Sequence, residues 1–141
     1  MIGREIIDRA KAYLCWDIFP ELNFQLVELQ KAVSYFYPPS GHQTIIVFYE
    51  KGNPDFSVPL FLLFHEAGHC LQYQEMIESS HESDFWCKIN LPSGPDRVSF
   101  EKESWAKGKI LLREFIIKQN LSMNLIHAYE KQAARFLKTY Q

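Results

Sequence analysis

The sequence predicts a single α+β domain over residues 1–141, in which a small antiparallel or mixed sheet of two or three strands packs with about four helices. Three observations predict this class: helical periodicity at the N-terminus, a β-branched and aromatic region after Pro20, and renewed helical patterns after Ser57. A chain of 141 residues has the usual size of one domain and is long enough to bury a core.

The first predicted element is an amphipathic helix. Its apolar positions recur at helical spacing, and they are Ile2, Ile6, Ile7, Ala10, Tyr13 and Leu14. Short strands are expected next, at residues 24–29, 32–37 and 44–49, because these segments are rich in β-branched and aromatic residues. The turn-forming sequence PPSGHQ separates the last two, and TIIVFY at 44–49 is the clearest strand of the three.

Three further helices are predicted in the second half of the chain. The first runs from about 58 to 76, with Ser57 as its N-cap. Residues 77–99 contain two prolines and a glycine close together, and this region is expected to be mostly loop. A helix should resume near 100 and continue to about 119, and Ser122 can cap a last helix.

The composition argues against nucleic-acid binding and against a fold held together by cysteines. The net charge is −2 and the pI is near 6.2, without the basic stripe that binding to DNA or RNA requires, so nucleic acid is not an expected partner. The cysteines are odd in number and include no CxxC pair, which indicates reduced thiols rather than a disulfide framework or a thiolate zinc site.

No membrane association is expected from the sequence. The charged residues of the N-terminal segment interrupt the apolar run that a secretory signal would need. The longest apolar run, residues 58–64, is far shorter than the roughly 18 residues that span a bilayer. With the reduced cysteines, this predicts a cytoplasmic protein.

The segment FLLFHEAGHCLQY at 61–73 contains an H-E-x-x-H motif formed by His65, Glu66 and His69. On an α-helix, residues four apart lie one turn apart on the same face, so both imidazoles can reach one cation. Glu66 lies beside the first histidine, where it can act as a general base towards a metal-activated water. Gly68 costs a helix about 1 kcal/mol relative to Ala, which fits a close approach by another segment. The motif predicts a metal site, with Zn²⁺ as the expected ion.

A catalytic zinc usually has three protein ligands, so the histidine pair needs a third. Glu103 is the preferred candidate, because it is expected on the buried face of the following helix, where a carboxylate needs a cation or a hydrogen-bond partner. That face is predicted from three positions: Ala106, Ile110 and Ile117. Glu101 is the main alternative. The intervening loop offers three more candidates, which are His81, Glu82 and Asp84.

The motif and the helix that follows it resemble the small gluzincin-type metallopeptidases of the ImmA/IrrE kind. In that family a helix reading roughly E-x-E-A-x-x-F-A-x-x-L-L-M-P follows the H-E-x-x-H helix. The corresponding stretch here is EKESWAKGKILLRE at 101–114, with matches at Glu101, Glu103, Leu111 and Leu112. The resemblance implies a zincin-like fold in which His65, His69 and Glu103 hold zinc.

The resemblance also implies a function. A protein or peptide substrate would be hydrolysed at a peptide bond, with Glu66 as base, and the strand TIIVFY would be the edge strand to which the extended substrate adds. Two alternatives stay open on the sequence. One is a zincin-fold module that binds metal or a partner without catalysis, and the other is a metal-dependent hydrolase that acts on a non-peptide bond.

Overall fold

The computed structural model of the chain describes residues 1–29, 33–37 and 43–141. Most of the predicted PPSGHQ turn, and the first residue of the strand predicted at 32–37, lie outside these residues. The described elements, in chain order, are α1 Arg4–Ala12, a π-helical turn Tyr13–Ile18, β1 Leu22–Leu29, β2 Val33–Tyr37, β3 Gln43–Glu50, α2 Ser57–Glu78, α3 Glu82–Ile89, α4 Pro95–Lys118, α5 Asn124–Leu137 and a 3₁₀ turn Lys138–Tyr140. They form two compact units, residues 1–67 and 68–141, and the boundary falls inside α2.

In the first unit, the apolar stripe predicted for the N-terminal helix is confirmed. All six of its predicted positions are buried: Ile2, Ile6, Ile7, Ala10, Tyr13 and Leu14. Asp55 ties the beginning of the chain to the beginning of α2, because its Oδ1 accepts hydrogen bonds from the backbone N–H of Ile2 and from the N–H and hydroxyl of Ser57. Ser57 is the first residue of α2 rather than its predicted N-cap, and the side chain of Asp55 accepts the hydrogen bond of its N–H.

The sheet has three strands in the order β1-β3-β2 within the described residues. β2 pairs antiparallel with β3 and β1 pairs parallel with β3, so the sheet is mixed and, of the two predicted sheet types, the purely antiparallel one is excluded for these strands. β3 lies in the centre, and the interpretation of TIIVFY as an edge strand is wrong. Both faces of β3 are covered, as is usual for a central strand. Ile45 and Val47 are buried on one face, and Ile46 and Phe48 are half-buried on the other.

The α+β class is confirmed, with five α-helices rather than four in the described part of the chain. The additional helix, α3, lies in the region predicted to be mostly loop. Acidic Glu82 and Asp84 occupy its first turn and Lys88 its last, as the helix dipole favours, and Phe85 is buried. A helix of two turns is too short to establish a periodic pattern in the sequence.

α4 begins earlier than predicted and buries a different face. It starts at Pro95, which occupies the first turn after Gly94 with its φ of 102°, and not near residue 100. Ile110 and Ile117 are 63% and 66% exposed, so the face predicted to be buried is turned to solvent. The face that is buried consists of Phe100, Glu101, Ser104, Trp105, Gly108, Leu111, Leu112, Phe115 and Ile116.

In the second unit, α5 buries Ile126, Tyr129 and Ala133. The Tyr129 hydroxyl donates a hydrogen bond of 2.7 Å to the backbone carbonyl of Trp105, and the two rings meet edge to face. None of the three cysteines forms a disulfide bond. In the part of the chain that is described, no helix is both long and apolar enough to cross a membrane.

The absence of a side chain at Gly68 allows α2 and α4 to approach closely. A Cβ at this position would overlap the backbone carbonyl oxygen of Ser104 on α4. The predicted packing role of this glycine therefore agrees with the structure.

We expect Gly68→Ala to lower the free energy of unfolding by about 1–3 kcal/mol, because the added methyl group forces the two helices apart. At an unconstrained helical position the same replacement raises the free energy of unfolding by about 1 kcal/mol, so a decrease distinguishes a close helix contact from an ordinary helical glycine. Urea unfolding followed by circular dichroism measures it. A variant more stable than wild type would show that the helices do not meet at this glycine.

Candidate metal centre

Helix α2 places three polar side chains of the H-E-x-x-H motif in an apolar environment. His65, Glu66 and His69 are 6%, 5% and 2% exposed. His65 and His69 lie one turn apart on the same continuous helix, as their spacing predicts. Buried polar groups of this kind destabilise the fold unless they have hydrogen-bond or charged partners. The residues that surround them therefore determine whether they can form a binding site.

Helix α4 supplies a carboxylate to this pair. Glu101 is 1% exposed, and its Oε2 lies 2.7 Å from Nε2 of His69. Taking one ligand atom from each of His65, His69 and Glu101, the three atoms all lie within 4.8 Å of one another. No other group of three such side chains is found in the described residues.

The chemistry of these donors fits a divalent metal ion. Two imidazole nitrogens and one carboxylate oxygen are common ligands of zinc, and three protein ligands leave a position open for water or substrate. Atoms bound to one zinc in a tetrahedron lie roughly 3.4 Å apart, so small side-chain rotations would bring this group onto one ion. The buried group can therefore hold a metal ion.

The structure does not bring Glu103 to the histidines. Glu103 is exposed, and its Oε1 accepts a hydrogen bond of 3.3 Å from the side-chain amide of Gln72. The expected third ligand is thus replaced in the structure by the alternative, Glu101. The reason is angular: successive residues turn by about 100° around a helix, so positions 101 and 103 face nearly opposite directions.

The loop candidates also lie away from the group. His81, Glu82 and Asp84 are exposed and belong to, or precede, helix α3. Glu82 accepts a hydrogen bond from the hydroxyl of Tyr73, at 3.2 Å. Together with burial, the proximity of this carboxylate raises the pKa of Tyr73 above its usual range.

Arg97 was not singled out from the sequence, although it has a direct role at the site. Its Nε and Nη2 donate to Oε1 of Glu101 at 3.0 and 2.5 Å, while Oε2 of the same carboxylate faces His69. Arg97 Nη1 donates to the backbone carbonyls of Ile89 and Leu91. The signal in the sequence was an arginine four residues before a buried glutamate, a spacing that places the two side chains side by side.

Glu66 has a different environment from the three ligand-type residues. Its carboxylate is buried, and Oε1 lies 3.9 Å from Nε2 of His65. A carboxylate that lies beside this group without belonging to it can accept a proton from a molecule bound there.

Comparison with known proteins identifies no relative, since no protein-family model, curated protein or solved structure matches this chain.

Replacing Arg97 is expected to destabilise the metal-free protein. Arg97→Ala leaves the buried carboxylate of Glu101 without its cation, and the expected loss is about 3–5 kcal/mol of unfolding free energy in the presence of a chelator. Lys107→Ala is the control, since Lys107 also lies on α4 and pairs with a carboxylate, that of Glu75, but this pair is exposed, and its loss should cost at most about 1 kcal/mol. Equal effects of the two replacements on urea unfolding would contradict the importance of the buried pair.

Proposed function

We propose that this chain is a zinc-dependent metallopeptidase with a zincin-like fold, in which His65, His69 and Glu101 hold the metal and Glu66 is the general base. The observation that carries the proposal is the buried group of two histidines and one glutamate. A carboxylate and two imidazoles buried together can share one divalent cation, which would offset the cost of withdrawing them from water. The resemblance to the ImmA/IrrE-type peptidases supports the same function.

The proposed mechanism uses each residue according to its position. Bound zinc would supply Lewis acidity, which polarises a substrate carbonyl and makes water more acidic. Glu66 would take the proton of the attacking water and deliver it to the leaving amine. His65 and His69, one turn apart on a rigid helix, would hold the reacting centre beside that carboxylate. A protein or peptide substrate and a cytoplasmic location, inferred from the sequence, are part of the proposal.

A second candidate function is a metal-binding module without catalysis. The observation in its favour is that both oxygens of Glu101 already have partners, Arg97 and His69, so the group also joins α4 to α2. In this case zinc would stabilise the fold and Glu66 would have no role as a base. The two candidate functions predict different effects of replacing Glu66: only the peptidase loses an activity.

We expect purified protein to bind one zinc ion and Glu101→Gln to weaken the affinity more than about 100-fold, since changes outside the ligand set alone cost about 10–100-fold. Glu103→Gln is the matched control. It lies on the same helix, is exposed, and keeps an oxygen that can accept the Gln72 amide, so its affinity should stay near that of wild type. Competition with a chromophoric chelator measures both. A larger loss of zinc affinity in Glu103→Gln than in Glu101→Gln would identify Glu103 as the ligand instead.

Peptidase activity is expected to depend on the carboxylate of Glu66. Glu66→Gln should bind zinc as wild type does and cleave about 10²–10⁴-fold more slowly, which is the usual contribution of a general base. Cleavage of a complex peptide library, read by mass spectrometry, supplies the rates even though the substrate sequence is not specified in advance. Zinc binding by wild type with no cleavage above the level of Glu66→Gln would favour the module without catalysis.

A further inference from the structure

The side-chain amide of Gln72 is buried, with 1% of the residue exposed, and its orientation follows from its neighbours. Its nitrogen donates to the backbone carbonyl of Phe100 at 2.9 Å and to the carboxylate of Glu103 at 3.3 Å. Both of these neighbours can only accept hydrogen bonds. Rotating the amide by half a turn would place its oxygen against two other oxygens, so the observed orientation is the only one that satisfies them.

This orientation turns the amide oxygen of Gln72 towards His69. Oε1 lies 2.6 Å from Nδ1 of the imidazole, and because an amide oxygen can only accept, the proton must be on Nδ1. An imidazole that binds metal is neutral, so with its proton on Nδ1 it offers the lone pair of Nε2 to the ion. Nε2 is the nitrogen that faces Glu101, at 2.7 Å from Oε2.

We propose that Gln72 is a positioning residue that commits His69 to bind metal through Nε2, and that Glu103 and the Phe100 carbonyl hold the amide in the orientation that this requires. The inference rests on the proposed metal site. It gives Glu103 a place outside the ligand set, two contacts away from His69, in the chain Glu103–Gln72–His69. The glutamate favoured as a ligand from the sequence thus supports the ligand His69.

Removing the amide should weaken metal binding without removing a ligand. We expect Gln72→Leu, which is similar in size, to lower zinc affinity about 10–100-fold, as the loss of a histidine's hydrogen-bond partner does at other sites. Gln74→Leu is the matched control: the same change on the same helix, at a half-exposed residue, should leave the affinity within about twofold of wild type.

A second measurement uses the unaltered protein and does not depend on the variant's folding. Long-range ¹H–¹⁵N correlation spectra of zinc-loaded, ¹⁵N-histidine-labelled protein report which ring nitrogen of His69 carries the proton. A proton on Nδ1, with Nε2 unprotonated, is the expected result. A proton on Nε2 with Nδ1 bound to the metal would overturn the inference.

The outcomes separate the inference from the function on which it rests. If wild-type protein binds no zinc, both fall. If wild type binds zinc but Gln72→Leu binds it equally well, or the His69 proton is on Nε2, the role of Gln72 is refuted while the metal site stands. The inference is supported if Gln72→Leu binds zinc more weakly than wild type while Gln74→Leu does not, and the His69 proton is on Nδ1.

Discussion

The close approach of α2 and α4 at Gly68 and Ser104 is the constraint on which the candidate site depends. A side chain at Gly68 would overlap the Ser104 backbone, so the two helices meet almost backbone to backbone at this point. His69 follows this contact on α2, and Glu101 precedes it by one turn on α4, which explains their separation of 2.7 Å. A wider helix separation would leave the histidine and the carboxylate too far apart to share one ion.

The residues around this contact form a continuous polar chain through an apolar region. Gln72 bonds to His69, His69 to Glu101, and Glu101 to Arg97, which is anchored on backbone carbonyls. Each link satisfies a group whose burial would otherwise cost about 1–3 kcal/mol or more. Such a chain holds each ring and carboxylate in one orientation, and this is the preorganisation that a metal site needs.

The sequence predicted those features that depend on local spacing. The histidine pair on one face of α2 and the buried stripe of α1 both follow from helical periodicity, and the structure has both. The choice between Glu101 and Glu103 was not local, because it depends on which face of α4 meets α2, and the exposed isoleucines of α4 indicated the wrong face. The central position of β3 likewise depends on pairing with β1 from a distant part of the chain. Long-range contacts of this kind are not encoded in the period of a single segment.

Anomalous diffraction from zinc-loaded crystals, recorded on both sides of the zinc absorption edge, is the most direct measurement of the central claim. We predict one strong zinc peak about 2.0–2.2 Å from a nitrogen of His65, from Nε2 of His69 and from an oxygen of Glu101. A peak at Glu103 or at the buried thiol of Cys70, or no peak between the two histidines, would contradict the account.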